Sequence, residues 1–322
     1  MELRRAILAR LSDGAFHSGA ALARDLGRSR TAVWKGVRGL TDAGLDIFAV
    51  RGRGYRLAER VDLLDAGLIR RDMEGGAAAA LNRLDVFFAL ASTNDFLLQQ
   101  PRLHACAVLA EYQTAGRGRR GNRWLSPPAS GICLSLGWRF ESAPDCLMML
   151  SLFSAVAVVR ALQSCRITGV GLKWPNDMVH DGRKLGGILV ESRGQIAGAV
   201  DVVVGLGLNV RLPAHAGAAL DQPVTDLASV AGAVPSRNRL AATLIGQLLR
   251  MCRDGQAGDT RGYLEEWRRH DTCRGRTGRL RLPDRELTGR ILDIDERGLL
   301  IMQIAGREQR FSSGELSLRP GT

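Results

Sequence analysis

The stretch GRGRRGNRW, residues 116–124, carries four arginines and three glycines just ahead of a tryptophan. Gly116, Gly118 and Gly121 satisfy Gly-x-Gly-x-x-Gly, the spacing of a dinucleotide-binding loop. That chemistry needs a strand before the loop and a helix directly after it, because the helix N-terminus holds the pyrophosphate. The strand-like run ACAVLAEY precedes, but WLSPPASG follows, and its Pro127 and Pro128 lead into a further strand pattern instead of a helix. The dinucleotide reading fails on that ground. What is left is a glycine-hinged loop that can reshape around a ligand, with guanidiniums suited to a two-pronged grip on carboxylate or phosphate. Taken alone, the segment also suits an Arg-Gly nucleic-acid patch with a stacking aromatic.

KWPND, residues 173–177, weighs against that patch. It ends a strand pattern, and Pro175 biases Trp174 toward an extended backbone, so Lys173 should leave the sheet in a fixed direction. A lysine there is costly unless an anion meets it, and a carboxylate or phosphate in transfer is such an anion. KLGGILVE follows, with Lys184 and with Gly186 and Gly187, where backbone can approach a ligand. Ser92, Thr93 and Asn94 give three neutral hydrogen-bonding side chains at an expected strand-to-helix junction, and Gln113 stands just before the arginine loop. Of 45 basic residues only Lys35, Lys173 and Lys184 are lysines. A chain so biased toward arginine keeps lysine where a compact ammonium matters.

These residues need elements to hold them. Residues 1–57 read as three helices and a hairpin. Leu3, Ile7, Leu8 and Leu11 line one face, Ser18 and Ser29 cap the second and third helices, and Gly27 and Gly44 end them. Val33, Val37 and Leu40 face inward on the third helix. That leaves Arg30, Thr31, Trp34, Lys35 and Arg38 outward, as a DNA-recognition helix requires. A hairpin with Arg51 and Arg53 at its tip completes a winged helix-turn-helix pattern. This segment holds eleven basic and five acidic residues, half of the chain's net charge of +12, and the overall pI is about 10.4. A polyanionic partner fits that balance.

From 58 to 83 the periodicity weakens, and MEGGAAAALN reads as a flexible stretch. Strand and helix patterns then alternate through LDVFFAL, ACAVLAEY, GICLSLGW, GVGLKW, GGILVES and AVDVVVGLGLNV, with a core helix at 143–164. Helices at 237–253 and 260–269 precede short strands and turns from Gly278 that suggest a small barrel. The expected class is α/β (α+β). Six scattered cysteines and five dispersed histidines support neither a disulfide framework nor a protein-held metal cluster, so reduced thiols and a cytoplasmic location are expected. The N-terminus carries charges through its apolar positions and does not read as a signal peptide, and the longest uncharged run, 146–159, is too short to span a bilayer; no membrane association is expected.

In order and spacing, the N-terminal module, STN, EYQTAGRGRRGNRW, KWPND, KLGGILVE and GLGLNV closely resemble the bacterial family of bifunctional biotin–protein ligases and biotin-operon repressors. The resemblance covers nearly the whole chain. It implies a winged helix-turn-helix domain at 1–62, a catalytic mixed-sheet domain of the class II synthetase type at 63–273, and an SH3-like barrel at 274–322. It implies formation of biotinyl-5′-adenylate from biotin and ATP with Mg2+, then transfer to a lysine of a biotin carboxyl carrier protein. It also implies operator binding with the adenylate as corepressor, and a homodimer when the adenylate is bound. Carried over residue by residue, Ser92, Thr93, Asn94 and Gln113 bind biotin, and Arg117, Gly118 and Arg119 line the biotin and adenylate loop. Lys173 contacts the biotinyl carboxyl and phosphate, with Lys173 and Arg119 as the catalytic cations. Arg120, Trp124, Asn176, Asp177, Gly187 and Asn209 lie on the adenylate side. Asn122 stands where bacterial relatives often carry arginine. Two other readings compete: a ligand-sensing transcription factor without ligase activity, and a lipoyl-type ligase, a family that lacks GRGRRGNRW.

Overall fold

The computed structural model describes residues 1–194, 198–213 and 222–318; the last four residues of the expected 274–322 unit lie outside it. The chain begins with helices α1 (Glu2–Leu11), α2 (Gly19–Asp25) and α3 (Arg30–Thr41), followed by the hairpin β1 (Ile47–Val50) and β2 (Gly54–Leu57). The two serine caps form as the sequence suggests, with Ser18 Oγ accepting from Ala21 N and Ser29 Oγ from Ala32 N. Ile7, Leu8, Leu11, Val33, Val37 and Leu40 are buried together, and Arg30, Thr31, Trp34, Lys35 and Arg38 are all exposed. The hairpin tip leaves Arg51 and Arg53 in solvent, and Arg53 stacks its guanidinium 4.1 Å from the Phe16 ring centre.

The 58–83 stretch is not a loose linker. It forms two short helices, α4 (Ala66–Asp72) and α5 (Ala77–Ala80), whose Ile69 and Ala77, with Leu64 and Leu81, enter the main core. Helices of seven and four residues carry too few turns for a 3.6-residue period to register, so their order comes from tertiary packing. The carboxyl and carbonyl of Asp62 accept from Arg237 N and Arg237 Nη1. Leu64 N donates to Glu111, and Asp65 N and Leu63 O bond the Asn238 amide. Arg237 and Glu111 form an ion pair of 2.8 Å that is almost fully buried. Such a pair persists only because further hydrogen bonds complete it, here Arg237 to the Gly131 carbonyl.

The central sheet has the order β3-β4-β5-β9-β8-β7-β6, built from β3 (Arg83–Leu90), β4 (Cys106–Gln113), β5 (Gly131–Phe140), β6 (Gly171–Lys173), β7 (Asp177–His180), β8 (Arg183–Gly194) and β9 (Val200–Asn209). Only β3 and β4 run parallel, joined by α6 (Thr93–Leu98), so the sheet is mixed. Period-two alternation sorts its faces. Ile132, Leu134, Leu136, Val202, Val204, Leu206 and Leu208 pack in one core with α7 (Leu150–Ser164) and α9 (Arg237–Ala257). The opposite face of β5 and β9 carries Gly131, Cys133, Ser135, Val203, Gly205, Gly207 and Asn209, mostly small residues that leave room above the sheet. Helix α7 is apolar enough by composition to cross a membrane, but it is a core helix with eleven buried residues.

Helices α8 (Leu227–Ala231) and α10 (Arg261–His270) complete the middle of the chain. The C-terminal part is an antiparallel sheet of five strands: β10 (Thr277–Arg281), β11 (Glu286–Ile294), β12 (Leu300–Ile304), β13 (Arg307–Phe311) and β14 (Glu315–Leu318). It docks on the central part through Trp174 Nε1, which donates to the Gly298 carbonyl at 3.1 Å, and through Arg268 and Asp293 at 3.2 Å.

Candidate active site

A cavity of about 660 Å3 opens above the small-residue face of the sheet. All fourteen ligand-side positions singled out from the sequence line it: Ser92, Thr93, Asn94, Gln113, Arg117, Gly118, Arg119, Arg120, Trp124, Lys173, Asn176, Asp177, Gly187 and Asn209. They come from β4, β6, β7, β8, β9, the start of α6 and the arginine loop. The exposed DNA-side residues belong to the N-terminal helices and hairpin, which contribute nothing to the cavity lining.

One end is neutral and hydrogen-bonded. Ser92 Oγ caps α6 by accepting from Asp95 N. Gln113 Oε1 accepts from Thr93 N at 2.8 Å and Thr93 Oγ1 at 3.2 Å, which leaves its NH2 group free to donate to a ligand oxygen. Asn94 is fully engaged: its Oδ1 lies 2.6 Å from Ser135 Oγ, and its Nδ2 donates to Leu189 O and Glu191 Oε2. Gly205 lies directly beneath, where a Cβ would come within 2.3 Å of the Asn94 oxygen. Asn94 therefore braces this end of the cavity.

The arginine loop closes as a small hairpin of its own. Gly118 N donates to Asn122 O, Trp124 N to Gly116 O, and Arg117 pairs with Arg123 as an isolated bridge. Its arginines do different things. Arg117 is held by Asp95 and by Glu191, the latter at 2.9 Å. Arg120, at a left-handed φ of 56°, donates to the Arg281 carbonyl of the C-terminal sheet. Arg119 is half-buried and makes no hydrogen bond among the described residues. Burial holds its guanidinium below the usual range, Arg120 repels it, and Asp177 attracts it. An arginine stays charged regardless, so Arg119 is an uncommitted cation facing the cavity. The Trp124 indole lies against Gly207, where a Cβ would fall 2.3 Å from the ring.

The other end is ionic. Asp177 bridges two lysines, with Lys184 Nζ at 2.7 Å and Lys173 Nζ at 3.7 Å. The anion that meets Lys173 in the free protein is thus the carboxylate at the end of its own KWPND motif. Asn176 and Asn209 spend their amides on backbone, Asn176 on Ile188 O and Asn209 on Thr225 O. Lys184 gained no site role from its motif, although its rarity in this chain was a usable signal. Asp95, Ser135 and Glu191, and the cavity-lining Arg281, Glu315 and Leu316, were missed. No local pattern marks them, because their partners lie up to 161 residues away.

A profile of the Biotin/lipoate A/B protein ligase family matches residues 88–209, a helix-turn-helix domain profile matches 3–56, and the Biotin protein ligase C terminal domain matches 275–319. The chain is 36% identical over 315 residues to the bifunctional ligase/repressor BirA of Escherichia coli K12, covering 97% of this chain and 96% of that one. It is 30% identical to the protein of the same name from Bacillus subtilis 168, over 94% of each chain. Among solved structures, the biotin protein ligase of Aquifex aeolicus in complex with biotin and ATP has a similar fold. The TM-score is 0.63 at 23% identity, over 74% of this chain and 99% of that one.

Proposed function

The chain belongs to the family of bifunctional biotin protein ligases and repressors, and from that premise we infer that it activates biotin with ATP, biotinylates a carrier protein and binds operator DNA. One observation supports the ligase reading most. A single cavity joins a neutral hydrogen-bonding end at Thr93 and Gln113 to a cationic end at Arg119, Lys173 and Lys184. Biotin has the same polarity, a neutral ureido ring at one end and a carboxylate at the other.

In the first half-reaction the biotin carboxylate attacks the α-phosphorus of ATP. A carboxylate oxygen–phosphorus bond forms, the α–β bridge breaks, and pyrophosphate leaves. Two anions must approach each other, so positioned cations are the main catalytic need. Lys173, Lys184 and Arg119 supply them in this reading, while Gln113 and Thr93 hold the ring end. In the second, the neutral amine of the carrier lysine attacks the acyl carbon; the amide forms, AMP leaves, and the amine gives up a proton. Magnesium enters as part of MgATP, held by phosphate oxygens and water. Among the described residues no group of three or more His, Cys, Asp or Glu could cage a metal.

On the repressor side, Arg30, Thr31, Trp34, Lys35, Arg38, Arg51 and Arg53 form the DNA-facing surface, all exposed on one small module. An operator read by two recognition helices calls for two copies, and we take the DNA-binding form to be a homodimer carrying the adenylate. Six free cysteines fit a cytoplasmic location. The test is ATP–pyrophosphate exchange with purified protein. Exchange that depends on biotin and not on lipoate is expected. Exchange with lipoate alone would make it a lipoyl-type enzyme, and none with either would leave a ligand sensor.

A further inference from the structure

The site that makes an acyl adenylate in this reading also holds two primary amines of its own. Lys173 and Lys184 are two of the three lysines in the chain, and both line the cavity. An acyl adenylate is a mixed anhydride whose acyl carbon reacts with any neutral amine within reach. Arginine offers no such hazard, since guanidinium does not deprotonate in proteins. The remaining 42 basic positions of this chain are arginine. The enzyme therefore needs a reason not to acylate itself.

Asp177 is placed to supply one. Its two oxygens face the two amines separately, Oδ1 toward Lys184 and Oδ2 toward Lys173. The three side chains are only 12–21% exposed, and a Cβ on Gly187 would already touch Lys184 and Asp177 at 3.5–3.6 Å. Asp177 is fixed in turn by its backbone pairing with both Lys173 and Gly187. A carboxylate shared by two amines in a confined place favours the ammonium form of each. We propose that Asp177 is a positioning residue that keeps Lys173 and Lys184 protonated, so that they act on the phosphate as cations and cannot take the acyl group. This rests on the ligase reading above. Without the guard, neutral Lys184 Nζ attacks the biotinyl carbon; the amide bond forms, the carbon–oxygen bond to phosphate breaks, AMP leaves, and the amine proton passes to solvent.

The experiment uses full-length protein and chemically synthesised biotinyl-5′-adenylate with no carrier present, read by intact mass and peptide mapping. Supplying the adenylate ready-made separates this question from whether the protein can make it, which the exchange assay decides. Wild type should leave Lys173 and Lys184 unmodified. Asp177→Asn should biotinylate Lys184, and Lys173 more slowly, at least about tenfold faster than wild type, equivalent to about 1.4 kcal/mol. Asp177→Glu should restore protection, and adding Lys184→Arg to Asp177→Asn should remove the label at that position. A purely structural role for Asp177 would move none of these labels. Asp177→Asn that retains adenylate by native mass spectrometry yet stays unlabelled at both lysines overturns the proposal. So does labelling of wild type at Lys184 as fast as at exposed Lys35, a comparison that needs no variant to fold.

Discussion

At the scale of single residues, the site separates cations that are already paired from one that is free. Arg117 is committed to Asp95 and Glu191, and Arg120 to the C-terminal sheet, while Arg119 has no hydrogen-bond partner among the described residues. The lysines form one unit with Asp177, so either could carry the phosphate contact. Lys173→Met is expected to slow adenylate formation by roughly 10²–10³-fold, the usual cost of one transition-state charge donor. Lys184→Met should cost at least as much, because its amine sits closer to the shared carboxylate and leaves it less compensated. Single-turnover adenylation within tenfold of wild type for one lysine would remove that residue from the charge-donor role.

At the scale of elements, the turn between α10 and β10 holds a buried carboxyl. Burial raises Asp271 from 3.8 to about 6, with a further push from Asp293 and opposition from Arg274 and from the Cys273 N–H. The folded state therefore binds this proton more tightly than the unfolded chain does. Its stabilising contribution is complete below about pH 4 and is lost as the pH rises through about 6. Asp271→Asn keeps an oxygen for the Cys273 N–H and removes the charge. Its stability relative to wild type should rise by about 2 kcal/mol between pH 4 and pH 7. Thermal melts at the two pH values check this, and a difference that stays flat or falls with pH rejects it.

At the scale of the whole molecule, the N-terminal module shares its core with the central sheet. Phe88, Tyr112 and Ala129 cluster with Leu40, Leu45 and Leu57, and the Phe88 and Tyr112 rings meet edge-on at 5.6 Å. Tyr112 immediately precedes Gln113 of the cavity. Removing residues 1–62 should abolish operator binding and leave biotin-dependent exchange measurable, but it strips Asp62 from Arg237. A chain lacking only residues 1–57 keeps that joint and should be more stable than the shorter one by about 1–3 kcal/mol, the cost of an unsatisfied buried polar group. Equal urea midpoints would show the joint to be energetically idle. Lys35→Ala should biotinylate normally and bind operator more weakly. If Lys35 meets a phosphate, the log–log salt slope should fall by about 0.9 for each phosphate that the variant no longer neutralises. Operator binding that is unchanged across saturating biotin and ATP in wild type would refute the corepressor role.

Local rules made much of this protein legible in its sequence. Serine caps, glycine stops and a 3.6-residue apolar period identify the three N-terminal helices, and the outward positions of α3 follow directly. Two prolines after the arginine loop exclude a dinucleotide site, and the loop does run into β5 with no α-helix between them. The motifs converge on one cavity because each falls at a strand end or in a loop on the same face of the sheet. What no local pattern could show is which charges meet. Glu191 on Arg117, Asp177 between two lysines, Arg237 on Glu111 and Asp62, and the C-terminal sheet at the cavity rim all join residues that are distant in sequence or lie on different strands. The same holds for α4 and α5, too short to show a period and ordered by the core they complete. Sequence determined the elements and the chemical types, because capping, turns and periodicity act over a few residues. Tertiary structure alone decided the pairing of charges, since a buried ion must find its counter-ion wherever the packed chain brings one.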